Sequence, residues 1–425
     1  MEKMKNSGIE WIGDIPEGWE VTRFKYQHTG LNTGEAIDKI FWSSDEDKTY
    51  FYTAGVEPIH STYQNFPKWK YTQDNDILLA RNGTPYVYFP FTNAIYSDHI
   101  IRSAIKCEID KRFIRYTLQQ SISSVVVDTV SIATWSASLW NEQYIPLPPT
   151  ETQKRIADFL DEKCAKIDGL KNDIQKQIET LEQYKKSVIT EAVTKGINPN
   201  AKMKDSGIDD VGQIPESWEE KKIKFLFDLV NDQNHLPMDK VQLLSLYTEL
   251  GVFPHGEQEE RGNKAVTVEG YKKVKKNDLV VNIILAWMGA MGISNYDGVT
   301  SPAYDIYRPK SENANPKYYH YLFRTPWFAG ECDKYGRGIM RMRWRTYSQE
   351  FMNIKIPYPS AEEQKQIADY LDEKCSSIDS IISTKKQQLE KLEEYKKSLI
   401  FEYVTGKKEV FSGEFSSKIS EKKGV

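Results

Sequence analysis

The residue types that usually carry out catalysis are present in this chain, but not at catalytic spacings. The four cysteines include no CxxC pair, and the six histidines include no pair at the spacing of a zinc site. No GxxxxGK[ST] phosphate loop occurs, and no Asn/Asp-Pro-Pro-Tyr/Phe segment is present to hold a methyltransferase's target adenine. The nuclease-like fragment "EYK" at 394–396 lacks a preceding Pro-Asp. We therefore predict that the chain binds no metal or cofactor and catalyses no reaction by itself.

Basic side chains offer a second kind of chemistry, contact with phosphate groups. The net charge of −4 argues against a basic surface overall. Lysines and arginines nevertheless cluster in "KRFIR" (111–115), "KKVKK" (272–276) and "RGIMRMRWR" (337–345). Any affinity for nucleic acid is therefore expected to be local. Taken singly, each cluster is equally typical of a solvated surface.

The chain contains a tandem duplication. "MKNSGIEWIGDIPEGWEVTRFKY" (4–26) returns as "MKDSGIDDVGQIPESWEEKKIKF" (203–225), and "QKRIADFLDEKC" (153–164) returns as "QKQIADYLDEKC" (364–375). The inserts between these matching frames, 27–144 and 226–355, do not align. Neutral drift would blur frame and insert alike, so the pattern favours one scaffold that holds two different heads.

A long helix is predicted at the end of each copy. Apolar residues recur about every 3.6 positions, which places them in one stripe on a helix. Thr150 and Ser360 are candidate N-caps with Gln153 and Glu363 in the capping-box position, and Gly196 and Gly406 are candidate stops. We expect the helices to pack as an antiparallel coiled coil. Its predicted core is Ile156, Leu160, Cys164, Ile167, Leu181, Ile367, Leu371, Cys375, Ile378 and Leu392, and the stripe also includes Leu170, Tyr184, Ile381 and Tyr395.

The predicted fold class is α+β, with two globular mixed α/β heads joined by the two-helix coiled coil and related by a pseudo-twofold internal repeat. The heads are predicted at 1–150 and 199–360, the helices at 151–198 and 361–406, and a polar, disordered tail at 407–425. The sequence shows neither a signal peptide nor a membrane-length apolar run, so we expect a cytoplasmic protein.

The duplicated frames, together with "NDILLARNGTPYVYF" and "AWMGAMGISNYDGVTSPAYDIYRP", resemble the specificity subunit of type I restriction–modification enzymes over roughly residues 1–406. The resemblance implies a non-catalytic subunit whose heads are target-recognition domains, each reading one half of a split double-stranded DNA target. It also implies that the helices set the spacer and dock two modification subunits, which use S-adenosylmethionine to methylate adenine N6. Restriction subunits, using ATP and Mg²⁺, would complete a DNA-cleaving complex. Unlike heads predict an asymmetric target.

Base edges are read mainly by Arg, Lys, Asn and Gln, and phosphates are bound by Lys and Arg. Candidate DNA-binding residues in the first head are Arg81, Asn82, Thr84, Lys111 and Arg112. Those in the second head are Lys272, Lys273, Lys275, Lys276, Arg337, Arg341, Arg343 and Arg345. Internal salt bridges are an equally good explanation for any one of them. Two other functions stay open: the recognition region of a fused restriction–methyltransferase, and a structural coiled-coil scaffold that binds no DNA.

Overall fold

The computed structural model describes residues 3–82, 85–122, 134–248, 250–256, 267–311, 313–338 and 344–410. The chain divides into two compact units. Unit 1 consists of Met1–Ile174 and Gln387–Val425, and unit 2 consists of Gln175–Lys386. The middle of the chain therefore forms one unit, whereas both ends of the chain contribute to the other.

Unit 1 contains twelve described strands, two short helices and parts of two long helices. The strands are β1 (Met4–Asn6), β2 (Asp14–Pro16), β3 (Glu20–Arg23), β4 (His28–Thr33), β5 (Trp42–Ser43), β6 (Thr49–Tyr52), β7 (Ile59–Ser61), β8 (Asp76–Ala80), β9 (Val87–Tyr88), β10 (Ile95–Tyr96), β11 (Ile100–Ile105) and β12 (Tyr144–Leu147). The helices are α1 (Lys111–Ile122), α2 (Ala137–Asn141) and α3 (Thr150–Lys195), of which α3 continues into unit 2.

Unit 2 also contains twelve described strands, with three short helices before its last strand and part of a long helix after it. Its described strands are β13 (Met203–Asp205), β14 (Gln213–Pro215), β15 (Glu219–Lys222), β16 (Phe227–Val230), β17 (Leu244–Tyr247), β18 (Gly251–Pro254), β19 (Lys272–Val274), β20 (Leu279–Asn282), β21 (Met291–Ile293), β22 (Gly298–Thr300), β23 (Tyr304–Pro309) and β24 (Lys355–Tyr358). The helices are α4 (Pro316–Phe323), α5 (Pro326–Lys334), α6 (Ser348–Phe351) and α7 (Ala361–Val404), of which α7 ends in unit 1. Single 3-10 turns lie at Phe24–Tyr26, Lys39–Phe41, Lys68–Lys70, Ile223–Phe225, Met238–Lys240 and Ala286–Met288.

The inserts that do not align in sequence share a central sheet. Its strand order is β4-β11-β8-β9 in unit 1 and β16-β23-β20-β21 in unit 2, and every neighbouring pair is antiparallel. The surrounding sheets differ. Unit 1 adds the four-stranded sheet β10-β6-β7-β5, whereas unit 2 adds the two-stranded sheets β17-β18 and β19-β22. The heads therefore share the central sheet and differ in the smaller sheets around it.

Both faces of the central sheet are covered, because alternate side chains of its strands enter different cores. In β8, Ile77 and Leu79 pack into one cluster of buried residues, while Leu78 packs into another. In β20, Val281 and Val280 divide between two clusters in the same way. This two-residue period explains why these strands read as continuous apolar runs.

The repeated frames fold alike. The first hairpin pairs Met4 with Pro16 in unit 1 and Met203 with Pro215 in unit 2. Strand β3 pairs antiparallel with β12, and β15 pairs antiparallel with β24, so the strand that enters each head lies beside the strand that leaves it. Each long helix therefore starts next to the pair of strands through which the chain enters and leaves its own head.

The helix ends agree with the sequence at three of the four predicted positions. Gly196 and Gly406 follow the helices with φ values of 78° and 71°, the left-handed stop that glycine allows. The Ser360 hydroxyl accepts a hydrogen bond from the main-chain N–H of Glu363 at 3.3 Å, as a capping box requires. The prediction for Thr150 is wrong. Helix α3 already includes Thr150, and the hydroxyl of this residue donates to the carbonyl oxygen of Glu108.

Candidate nucleic-acid interface

A buried glutamine from each repeated segment fastens a head to its long helix. Gln153 accepts a hydrogen bond from the main-chain N–H of Asp110 at 3.0 Å and donates to the carbonyl oxygen of Pro148 at 2.8 Å. Gln364 makes the equivalent pair of bonds, with the N–H of Asn315 and the carbonyl oxygen of Pro359, both at 3.0 Å. Since Asp110 and Asn315 directly precede α1 and α4, each glutamine fixes the start of a head helix. This role explains why Gln153 does not complete a capping box.

A tyrosine–aspartate bond follows about two helical turns later in each copy. The Tyr116 hydroxyl donates to Asp161 at 2.7 Å, and the Tyr321 hydroxyl donates to Asp372 at 2.8 Å. The cysteine that closes each repeated segment is buried close to this bond, and burial raises the pKa of both thiols. Cys164 and Cys375 therefore serve as small apolar residues, because a raised pKa lowers the fraction of reactive thiolate.

Two predicted phosphate-binding residues of the first head are already paired with carboxylates. The Arg112 guanidinium lies 2.9 Å from Asp110, 2.6 Å from Asp158 and 3.0 Å from Asp161, and hydrogen bonding to Asp110 raises its pKa. It thereby joins α1 to α3. The Lys111 ammonium donates to the main-chain oxygen of Asp74 and lies 3.6 Å from its carboxylate.

Of the predicted base-reading turn of the first head, Arg81 is exposed and Asn82 is partly buried. Arg81 donates from its main-chain N–H to the carbonyl oxygen of His99 at 2.8 Å and accepts from the N–H of Trp135 at 2.6 Å. The Asn82 side-chain nitrogen lies 2.7 Å from Nδ1 of His99. Thr84 lies outside the described residues.

A groove borders this turn, and the sequence had not indicated it. Its volume is about 780 Å³, and Lys39, Trp42, Asp98 and His99 are among the lining residues. The Lys39 ammonium lies over the Trp42 ring, 5.5 Å from its centre. These residues come from separate strands and turns, so no local pattern could have grouped them. An exposed tryptophan preceded closely by a lysine was the available signal.

In the second head the "KKVKK" cluster divides into one paired and three unpaired lysines. Lys272 forms an ion pair with Asp305 at 3.0 Å, and both side chains are largely buried, with 14% and 15% exposed. Lys273, Lys275 and Lys276 are exposed, and none has an ion-pair partner among the described residues. Val274, which lies among them in the chain, is buried in the core, whereas these three residues are exposed to solvent.

The arginine cluster of the second head begins and ends at a two-residue bridge. Arg337 and Arg345 exchange two main-chain hydrogen bonds of 2.9 Å. The Arg337 guanidinium also pairs with Glu350 at 2.9 Å, whereas the side chain of Arg345 is exposed. Arg341 and Arg343 lie outside the described residues.

No metal site or membrane span accompanies these features in the described part of the chain. Residues 3–82, 85–122 and the later described ranges contain no group of three His, Cys, Asp or Glu placed to hold a metal ion. Within the same ranges, none of the helices combines the length and the apolar character needed to cross a bilayer.

Comparison with known families decides what this arrangement belongs to. The family model described as the type I restriction modification DNA specificity domain matches residues 17–180 and again 215–393. The chain belongs to this family. The two matches coincide with the two copies of the repeat. The chain is accordingly a specificity subunit, a non-catalytic component of a type I restriction–modification system.

Relatives align along most of the chain. The MjaVIII specificity subunit of Methanocaldococcus jannaschii is 28% identical over 421 residues, covering 92% of this chain and 93% of the relative. The EcoBI specificity subunit of Escherichia coli is 25% identical over 354 residues, covering 76% and 71%. A solved structure from work on complex assembly and conformational transition of a type I restriction–modification system has a similar fold, with a TM-score of 0.64 at 14% identity, covering 92% of this chain and 98% of the solved one.

The long helices of this specificity subunit bury most of the predicted stripe. Of the predicted core residues, all but Leu181 and Leu392 are at most 6% exposed, and those two are partly buried. In unit 1 the stripe packs in a cluster that also contains head residues such as Trp19 and Phe113. Four residues of the stripe are instead exposed, by 44% to 57% of their surface: Leu170, Tyr184, Ile381 and Tyr395.

Proposed function

We propose that this specificity subunit recognises a bipartite, asymmetric double-stranded DNA target, and that each head reads one half. The observation that carries the proposal is the shared central sheet with different surroundings in the two heads. The same central sheet supports both heads, while different surrounding segments give each head its own base contacts. The proposed readers are the target-recognition domains at 1–150 and 199–360.

The two long helices, at 151–198 and 361–406, are proposed to form an antiparallel coiled coil that sets the spacer between the half-sites. Ion pairs within each unit support the antiparallel direction. In unit 1, Lys171 pairs with Glu393, and Lys396 pairs with Asp168 at 2.7 Å. In unit 2, Lys185 pairs with Asp379 at 2.6 Å. In unit 1, residues later in α3 therefore pair with residues earlier in α7, as two antiparallel helices do.

The exposed residues of the helix stripe support docking of two identical partners. Leu170 and Tyr395 are bracketed by the two ion pairs of unit 1, while Tyr184 and Ile381 adjoin the ion pair of unit 2. The sets are equivalent, because Leu170 corresponds to Ile381 and Tyr184 to Tyr395 in the duplication. We propose that each set contacts one adenine-N6 methyltransferase subunit.

Cofactors belong to the partner subunits in this proposal. The methyltransferase subunits use S-adenosylmethionine, and restriction subunits, where present, use ATP and Mg²⁺. The complex acts on DNA in the cytoplasm. Residues 407–425 are the predicted polar, disordered tail, of which 411–425 lie outside the described residues.

Exchange of one head tests the proposal. Residues 28–143 are replaced by the matching insert of a relative with a known target, which keeps the bonds from Arg23 to the Tyr144 hydroxyl at 3.1 and 2.9 Å. The chimaera is expressed with its methyltransferase subunits, and methylated adenines are mapped in genomic DNA. We expect one half of the target to change while the other half and the spacer stay the same.

The reciprocal exchange of residues 226–354 is the matched control and should change only the other half. Circular dichroism checks that each chimaera is folded. Simultaneous change of both halves in either folded chimaera would contradict independent reading by the two heads.

A further inference from the structure

The Asn82–His99 pair is an exposed polar contact that the fold of unit 1 does not need for its core. The Asn82 nitrogen lies 2.7 Å from His99 Nδ1, and the imidazole is 52% exposed. The main chain around it is fixed, because Arg81 bonds to His99 and to Trp135, and Asn82 bridges to Thr134. The amide therefore sits at the surface in a defined place.

The surroundings of His99 determine which way the amide points. The Asp98 carboxylate lies 4.0 Å from Nε2 of His99, on the ring nitrogen opposite the amide. Between the two tautomers of the imidazole, this negative charge favours the one that carries its proton on Nε2, because that N–H then lies nearer the carboxylate. Nδ1 is then an acceptor, and it receives one N–H of the Asn82 amide. Among the described residues, no other group bonds to the second N–H or to the carbonyl oxygen of that amide.

A donor beside an acceptor is the pattern that pairs with adenine. In the major groove adenine presents the N6 amino group as a donor and N7 as an acceptor, and an Asn amide can bind both. The groove of about 780 Å³ beside His99 adds Lys39 near the same surface, where an ammonium group can bind phosphate.

We infer that Asn82 reads one adenine in the half-site of the first head, and that His99 is a positioning residue that fixes the orientation of the Asn82 amide. This inference rests on the proposed function. It names a base and an atom pair that the proposed function leaves open.

Base analogues test the inference on the unaltered protein. The complex with its methyltransferase subunits is bound to duplexes in which each adenine of the half-site is replaced in turn by 7-deazaadenine, which lacks the N7 acceptor. We expect one position to weaken binding about 10-fold, since the analogue removes one of the two hydrogen bonds of a bidentate base contact. A half-site without adenine, or no weakening at any position, overturns the inference.

Two substitutions separate reading from positioning. Asn82→Asp presents acceptors only, so preference at that position should move from adenine toward cytosine, whose N4 is a donor. His99→Ala should lower discrimination at the same position without changing the salt dependence of binding, and His99→Asn, which restores an acceptor at similar reach, should recover it. The control His235→Ala removes an exposed histidine of unit 2 that pairs with Glu269 at 2.8 Å, and should leave this position unaffected.

Unchanged discrimination in both Asn82→Asp and His99→Ala would overturn the inference. If head exchange still changed one half of the target, the proposed function would stand and only the role of this pair would fall. If head exchange also changed neither half, the proposed function itself would fall.

Discussion

Basic side chains at the surface of the two heads differ in whether a carboxylate already holds them. Arg112 contacts three carboxylates, and Lys272 has a largely buried partner in Asp305. Lys273, Lys275 and Lys276 have no ion-pair partner within the described residues. Phosphate binding releases counterions only where a cation is free to replace them. We therefore expect the three lysines, rather than Arg112 and Lys272, to contact phosphate, although all five residues look alike in the sequence.

Substitution of these residues should separate the two roles. The variant with Lys273, Lys275 and Lys276 all changed to Ala should bind DNA less tightly, with the slope of log K against log salt reduced by about 0.9 for each phosphate that the variant no longer neutralises. Arg112→Ala should leave that slope unchanged and lower the free energy of unfolding by about 1–3 kcal/mol, because the carboxylates around it are left without their cation. DNA binding of the assembled complex at several salt concentrations and urea denaturation measure these effects. An unaltered slope in the triple variant would show that the three lysines do not contact phosphate.

At the scale of elements, the repeated twelve-residue segment is the part that attaches a head to a helix. Its glutamine accepts a hydrogen bond at the start of α1 or α4. Its aspartate accepts a hydrogen bond from a tyrosine hydroxyl of the same head helix, and its cysteine is buried close to that bond. The head residues that meet it, Tyr116 and Tyr321, lie in inserts that do not align. Equivalent contacts made from unlike sequences explain why the frame stays similar while the heads differ.

The far end of each long helix is fixed by a glycine against the first hairpin. A Cβ on Gly406 would lie 2.5 Å from Cδ of Pro16, and its φ is 71°. Gly8 has the same kind of backbone, with a φ of 72°, but a Cβ there would meet nothing within 4 Å. The two glycines therefore separate backbone strain from close packing within one unit.

We expect Gly8→Ala to lower the free energy of unfolding by about 1–2 kcal/mol through left-handed strain alone. Gly406→Ala should cost a further ~1–3 kcal/mol, because the methyl group overpacks the contact with Pro16. Urea denaturation of the full chain measures both. Equal midpoints for the two variants would show that the contact between Gly406 and Pro16 adjusts without cost.

At the scale of the whole molecule, the duplication distributes equivalent elements over two units of different connectivity. Unit 2 is one continuous stretch, whereas unit 1 is built from both ends of the chain. Helices α3 and α7 take part in both units. The ion pair between Asp168 and Lys396 in unit 1 is equivalent to that between Lys185 and Asp379 in unit 2, and exposed apolar residues adjoin both. In the proposed function, these helices are what relates one half-site to the other.

Lengthening both helices tests whether they set the spacer. Four residues are inserted after Ile174 in α3 and four after Lys385 in α7, which are equivalent positions in the duplication. Each insertion adds ~6 Å of helix, and DNA rises ~3.4 Å per base pair, so methylation-site mapping should find a spacer longer by one or two base pairs. The stripe turns only ~40° beyond a full turn, which paired helices can absorb.

The control carries two residues at each position, which rotates the stripe by ~200° and should abolish the folded complex. A folded and active four-residue variant that keeps the original spacer would contradict a measuring role for the helices.

The sequence by itself determined the features that repeat or that follow a local period. The duplication and membership of the specificity family follow from the order of residues along the chain. The two long helices with stops at Gly196 and Gly406 and the capping box at Ser360 rest on residues near one another in the chain. Helical periodicity and glycine stops depend on the backbone alone, so they are legible without the fold.

Only the tertiary structure decided which residues meet. It paired Arg112 and Lys272 with carboxylates, left Leu170 and Tyr395 of the apolar stripe exposed, and placed His99 beside Asn82. It also gave two unalignable inserts the same sheet. These outcomes depend on contacts between distant segments. Many different sequences can form the same buried sheet, and an ion pair between distant segments follows no fixed spacing in the chain. The shared sheet and the ion pairs could therefore not be predicted from the order of residues.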